Sequence, residues 1–220
     1  MLNIAIDGPS GSGKSTVADA LAAKLDILHL DTGAMYRACA LAALKRNVDC
    51  FDEGAIALFI NDIDLKISYK NGKQVTILDG EDVSERIRDN EVSLMASNIS
   101  SLGVVRTKMV EMQRAVAKEN DCILDGRDIG TVVLPDVKHK FFLTATAEIR
   151  AERRFKELTG KGQSVDMSVL LEEINKRDYN DSHRKIAPLH PAPDSVIIDS
   201  SSLTVDEVVE RIITCIKSKI

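Results

Sequence analysis

Short apolar runs alternate along this chain with longer stretches in which apolar residues recur every three or four positions. The runs are "NIAID" (3–7), "ILHL" (27–30), "CILD" (122–125), "KFFLTA" (140–145) and "SVIID" (195–199). Each is brief and nearly unbroken, which predicts a strand buried on both faces. The periodic stretches cover 15–25, 33–47, 91–120, 147–158, 168–180 and 205–219, and predict helices. In "STVADALAAKL", Val17, Ala20, Leu21 and Leu25 share one helical face. Strands that alternate with helices predict an α/β fold, a parallel P-loop-type sheet covered by helices on both faces.

One segment breaks the alternation. "DLKISYKNGKQVTILDGEDV" (64–83) holds two β-rich runs around Asn71-Gly72, a strong hairpin signal. A small antiparallel β insertion is therefore expected over 63–90. The chain then divides as a single domain: core 1–62, 91–149 and 186–220, the insertion, and a helical lid region over 150–185. "HRKIAPLHPAP" (183–193) reads as a proline-rich surface loop. Ligands of open parallel sheets bind outside the carboxyl ends of the strands. The polar clusters Asp7-Gly8, Asp31-Thr32-Gly33, Asp125-Gly126-Arg127-Asp128 and Asp199-Ser200 all fall there.

The first of these ends carries the most specific signal. Gly8-Pro9-Ser10-Gly11-Ser12-Gly13-Lys14-Ser15 fits GxxxxGK[ST], between a predicted strand and a predicted helix as that motif requires. Its glycines let backbone N–H groups approach phosphate oxygens. The helix that follows, with Thr16 in its first turn, aims its positive dipole end at the same anion. Lys14 adds a point charge near the β and γ phosphates, and Ser15 offers a hydroxyl to Mg²⁺. The loop predicts nucleotide phosphate binding and leaves the fate of the phosphate open.

Arg37 lies at a strand-to-helix junction, Arg106 on a long predicted helix, Arg127 and Asp128 after "CILD", and Arg177, Asp181 and Arg184 at helical spacing. Taken singly, each is an ordinary solvated charge. Together they could form a second anion and sugar site facing the loop, since the arginine fork grips phosphate or a base edge with two hydrogen bonds. Arg150, Arg153 and Arg154 stand at i, i+3 and i+4. They are either a surface charge stripe or a lid that brings cations onto a transferring phosphoryl group. Asn175-Lys176-Arg177-Asp178 fits the guanine-reading NKxD, but it continues a helix instead of following a buried strand, and DxxG is absent. A GTP switch is set aside.

Composition changes this picture little. Of 220 residues 44% are hydrophobic and 29% charged, as in ordinary globular chains. The net charge of −5 argues against broad nucleic-acid or membrane-surface binding. Residues 1–7 run straight into the loop, so no leader peptide is read, and no apolar run approaches the roughly 20 residues of a membrane span. Cys39, Cys50, Cys122 and Cys215 are scattered and read as reduced thiols. His29, His139, His183 and His190 lack metal-ligand spacing, which argues against zinc. A cytoplasmic protein is expected.

With "IDGPSGSGKST", "LDTGAMYR", "DGRDIGTVV.PD" and "RDYNDSHRKIAPL.PA" in order, the chain resembles the bacterial cytidylate kinases, within the nucleoside monophosphate kinase group, from residue 3 to about 217. The resemblance implies five parallel strands, an enlarged monophosphate-binding insertion and a short lid. It implies phosphoryl transfer from ATP, carried with Mg²⁺, to CMP or dCMP, in a monomer. Under it, Ser10 through Thr16, after Gly8 and Pro9, hold the ATP phosphates. Thr32, Arg106, Asp128 and Arg184 surround the cytosine. Ser97, Arg177 and Asp181 hold the sugar, and Arg37 and Arg127 grip the monophosphate. Lys14, Arg127, Arg150 and Arg154 form the catalytic set, with Arg153 on the lid side, and Ser15 meets the metal. Thr32 departs from the serine of many relatives but keeps the hydroxyl. Asp125 has two open roles, orienting Mg²⁺ through water or hydrogen bonding structurally. The acceptor phosphate is itself an anion, so no strong general base is expected. Two other readings stay open on the residues alone: a kinase for a different acceptor, and a nucleotide sensor without turnover.

Overall fold

The structure, a computed structural model, describes residues 1–49 and 52–218, so Cys50 lies outside the described residues. The elements run β1 (Asn3–Asp7), α1 (Lys14–Leu25), β2 (Leu28–Asp31), α2 (Thr32–Lys45), α3 (Glu53–Asp62), β3 (Leu65–Lys70), β4 (Lys73–Leu78), β5 (Glu81–Asp82), α4 (Asn90–Ile99), α5 (Gly103–Glu119), β6 (Cys122–Gly126), β7 (His139–Thr144), α6 (Ala147–Gly160), α7 (Met167–His183), β8 (Val196–Asp199) and α8 (Val205–Ser218).

Among the described residues the five apolar runs pair as one parallel sheet, in the order β2-β6-β1-β7-β8. Alternate side chains of β1 and β6 enter cores on opposite faces, as the period of two demands. Ala5, Leu30, Cys122 and Leu124 pack with α2, α3, α4 and α5 on one face. Ile4, Ile6, Ile123, Phe141, Leu143 and Ile198 pack with α1 and α8 on the other. All of β6 is buried, which is why its sequence shows no polar alternation. Register then lines up the functional ends, with Asp31 opposite Asp125 and Asp7 opposite Gly126.

The insertion is a three-stranded antiparallel sheet, β3-β4-β5. Lys70 pairs with Lys73 across Asn71 (φ 53°) and Gly72 (φ 74°), the doubly positive turn that matches strand twist. Asp79 (φ 50°) and Gly80 (φ 83°) make a second such turn into β5. The insertion is tied to the parallel sheet by Gln74. Its Oε1 accepts from Asp31 N (2.8 Å) and its Nε2 donates to Asp31 O (3.3 Å), supplying the neighbour that edge strand β2 lacks.

Two helical expectations are corrected. The stretch 91–120 is two helices, broken at Ser100–Leu102, with Gly103 opening α5. Helix α3 was not expected. Asp52 caps it by accepting from Ala55 N, and Ile56, Phe59 and Ile60 bury its apolar edge. Asn175–Asp178 lies within α7, so the helical reading that set aside a GTP switch holds. Cys39, Cys122 and Cys215 form no disulfide. No described helix is long and apolar enough to cross a membrane.

Candidate active site

The carboxyl ends of β1, β2 and β6 open into a cleft of about 390 Å³. The glycine-rich loop forms one wall, through Ser10, Gly11, Gly13, Lys14, Ser15 and Thr16. Gly8 does not line the cleft. At φ 147° it passes so close to β7 that a Cβ would sit 2.0 Å from Leu143 O, so only glycine fits. The loop's carbonyls are taken by protein donors. Arg150 donates to Ser10 O (3.1 Å), Ser200 Oγ to Ser12 O (3.0 Å) and Lys14 Nζ to Pro9 O (2.7 Å). Burial, and next the Arg127 charge, push Lys14 down to about 7.

Arginines form the opposite wall. Arg37, Arg127 and Arg177 all line the cleft. Arg37 is held by Asp31, whose Oδ2 accepts from it at 2.9 Å while Oδ1 caps α2 at Ala34 N. Asp181 accepts from Arg127 Nε at 2.8 Å. Burial, then the like charges of Arg127 and Arg37 (with Asp181 and Asp178 opposing), lower Arg177 to about 10. The Nε atoms of Arg37 and Arg177 are buried donors without a protein partner among the described residues. Such a cluster of unmet donors and like charges calls for an anion.

Deeper in the cleft Asp128 pairs with Arg106, and Arg184 Nη2 lies 3.5 Å from its other oxygen. All three side chains are buried. Arg106 also donates to Ser100 O (3.2 Å), in the helix break, and its guanidinium lies 5.7 Å from the Tyr36 ring centroid. Asp128 is fixed from behind: the carboxylate of Asp7 accepts from Ile129 N and Gly130 N, each at 2.7 Å. Burial pushes Asp7 up to about 6. Thr32 Oγ1, also buried, donates to Asp125 O at 2.7 Å.

Ser97 and the arginines of α6 stand differently from their spacing. Ser97 does not line the cleft; Ala96, one helical step of about 100° away, and Ser100 do. The arginines of α6 do not form one free cationic face. Arg150 is buried and makes four hydrogen bonds, to Ala145 O, Ser10 O and both oxygens of Asp178. Arg153 binds Ser200, and Arg154, partly exposed, pairs among the described residues with Glu157. Asp178 and His29 were not among the site residues expected from sequence. His29 lies buried between Asp19 and Asp125, and Asp125 also accepts from Ser15 Oγ at 2.8 Å.

A parallel sheet of this order, with a GxxxxGK[ST] loop between its central strand and first helix and an arginine-lined cleft before it, defines a P-loop kinase. A solved shikimate kinase from Bacteroides thetaiotaomicron shares this fold at a TM-score of 0.51 and 12% identity, over 98% of each chain. The family model for cytidylate kinase matches residues 4–218, and the chain belongs to that family. A cytidylate kinase of Caldicellulosiruptor bescii is 51% identical over 96% of this chain and 94% of its own length. One of Caldicellulosiruptor saccharolyticus is 50% identical over the same shares.

Proposed function

We propose that this protein transfers the γ-phosphoryl group of ATP to CMP or dCMP, giving ADP and CDP or dCDP. The observation that carries the reading is the trio Arg37, Arg127 and Arg177 facing the phosphate loop across one cleft, two of them with buried Nε donors unmet. The loop, Gly8 to Thr16, holds the ATP phosphates, and the trio holds the acceptor phosphate. Arg177 and Asp181, which line the cleft, also meet the sugar, together with Ser97 from α4. Asp128, Arg106, Arg184 and Thr32 read the base. Thr32 spends its proton on Asp125 O, so toward a ligand it only accepts. That suits the amino group of cytosine and not the carbonyl of uracil.

An oxygen of the acceptor phosphate attacks the γ phosphorus as the bond to the β–γ bridging oxygen breaks, and ADP leaves with that electron pair. The protein's work is to hold two polyanions in line and offset their repulsion. Lys14 and Arg127 sense each other's charge across the cleft, one from the phosphate loop and one from the arginine wall. Arg154 is the lid arginine with donors to spare, and Arg150 is the strut that ties α7 to the loop. The lid region is 150–185 and the acceptor-side flap is 63–90, on the core 1–62, 91–149 and 186–220. The donor set fits Mg²⁺, because Ser15 Oγ and the Asp125 carboxylate are hard oxygen groups in contact at the loop. Bound with ATP, Mg²⁺ would neutralise charge on the β and γ phosphates. The surrounding reading is of a cytoplasmic monomer that engages neither nucleic acid nor membrane, in keeping with its net charge of −5.

A coupled assay for ADP release, run over CMP, dCMP, UMP and non-nucleotide acceptors, tests the assignment. CMP and dCMP should turn over best; preference for any other acceptor would overturn it. Arg37→Ala should raise the CMP KM roughly tenfold, the worth of one partly exposed charged hydrogen bond, and leave the ATP KM nearly unchanged. A selective loss of ATP would place Arg37 on the wrong side.

Lys14 gives a pH signature. With its pKa lowered by burial to about 7, it is mostly neutral at pH 8, and the phosphates of ATP draw its proton back. ATP binding at pH 8 should therefore take up close to one proton. Affinity should fall as pH rises from about 7, by at most about tenfold per unit. Calorimetry in two buffers of different ionisation enthalpy measures the uptake, and an uptake near zero would contradict the buried lysine.

A further inference from the structure

His29 belongs to no motif, yet it closes a ring behind the phosphate loop. Ser15 and Asp19 stand at i and i+4 on α1, so they lie on one face of that helix. His29 comes from β2 and Asp125 from the end of β6, the next strand in the sheet. His29 donates from Nδ1 to Asp19 Oδ1 at 2.6 Å and from Nε2 to Asp125 Oδ1 at 2.9 Å. Ser15 Oγ donates to the other oxygen, Asp125 Oδ2, at 2.8 Å. The His29 and Asp125 side chains are only 7% and 4% exposed, whereas Asp19 is 72% exposed.

Two carboxylates on the two ring nitrogens require both nitrogens to carry protons. The consequence falls on Asp125. Each of its oxygens has a fixed partner, so the carboxylate cannot turn about its last bond. Ser15 is then fixed as well. Its one proton is committed to Asp125, and its lone pairs are what it has left to offer toward the nucleotide.

We infer that His29 is a positioning residue for the metal side of the loop: it locks Asp125 so that Ser15 presents its oxygen, not its proton, to the Mg²⁺ carried by ATP. The inference rests on the ATP site proposed above and not on the identity of the acceptor. Residues that orient metal ligands from behind typically govern about 10- to 100-fold in metal affinity.

The measurement is the Kd of ATP by calorimetry, with Mg²⁺ and with a chelator, in the full-length protein. The readout is the ratio of the two, the factor by which Mg²⁺ tightens binding. His29→Phe keeps the bulk and removes both donors. It should leave the metal-free Kd within about twofold and shrink the Mg²⁺ factor about tenfold. His29→Gln, which keeps one donor toward Asp125, should recover part of the factor and serves alone where the phenylalanine variant does not fold. Because His29 acts through Ser15, Ser15→Ala and Ser15→Ala/His29→Gln should show the same factor. A factor equal to the unmodified protein's in the His29 variants, whatever happens to Tm, would show a merely structural histidine and overturn the inference. So would additive losses in the double variant. CMP turnover plays no part in these measurements, so a wrong acceptor assignment would appear in the acceptor screen and leave them standing.

Discussion

Lys14→Ala should lower kcat by about 10²- to 10³-fold, the usual cost of losing one preorganised donor to charge that develops in a transition state. The fold should survive, and the structure says why. Lys14 is 5% exposed, and among the described residues its Nζ is met by Pro9 O and, at 3.5 Å, by Ser12 Oγ. Burial lowers its pKa from 10.5 to about 7, so below pH 7 the folded protein carries a charge that the unfolded chain holds more easily. That destabilisation is fully present below about 7 and fades as pH rises toward 10.5, the reverse of a salt-bridged lysine. The alanine variant should therefore melt at the same temperature or higher, with the larger gain at low pH. A functional group held against its own stability shows this opposition of activity and Tm. Coupled kinetics with thermal melts at pH 6 and pH 9 check both halves. A kcat within tenfold of the unmodified protein would remove Lys14 from the chemistry. A lower Tm at pH 6 would mean that the Pro9 contact outweighs the buried charge.

The strands and the loop could be read from sequence because each is encoded locally. Five apolar runs gave five strands to within a residue or two, since burial in the sheet's interior leaves little room for polar residues; edge strand β8 kept its apolar run although Ile197 is 61% exposed. The loop's meaning lies in adjacent residues. Asp79-Gly80 carries the same turn chemistry as Asn71-Gly72 and could have announced β5, but a two-residue strand has no periodicity of its own. The break between α4 and α5 was signalled by Ser100, Ser101 and Gly103. It matters for the site, because it frees the Ser100 carbonyl that Arg106 meets.

Side-chain partnership is where sequence reading stops. Spacing put Arg150, Arg153 and Arg154 near one face of α6, and they are. It could not show that Asp178 on α7 and Ser200 after β8 claim two of them. Those partners lie 28 and 47 residues away, and only the packing of α6 on α7 and beside β8 brings them in. His29 was invisible for the same reason. Its partner Asp125 is 96 residues distant, joined to it by sheet register alone.

Asp128→Asn should cut kcat/KM for CMP by roughly 30- to 150-fold, about 2–3 kcal/mol for a charged hydrogen bond lost at a buried site, and cut it much less for UMP. Cytosine offers an amino donor at N4 and an acceptor at N3; uracil reverses both. A carboxylate accepts from the first and repels the carbonyl of the second, whereas an asparagine can turn its NH₂ toward that carbonyl. The buried pairing dictates the choice of substitution. Asp128 neutralises Arg106 and stands beside Arg184, so truncation to alanine would leave two buried cations uncompensated, at about 3–5 kcal/mol for a broken buried pair. Loss of fold and loss of base reading would then be confounded. Asparagine keeps the shape and an acceptor oxygen for Arg106, and it keeps the backbone that Asp7 grips at Ile129 and Gly130. The specificity constants for CMP and UMP, measured in both proteins at equal ATP, give the ratio. Unmodified protein should favour CMP strongly, because a site of committed donors and acceptors rejects the analogue that leaves them unpaired. If the asparagine variant loses both substrates by one common factor, Asp128 acts through the positions of Arg106 and Arg184 alone, and the base is read elsewhere in the cleft.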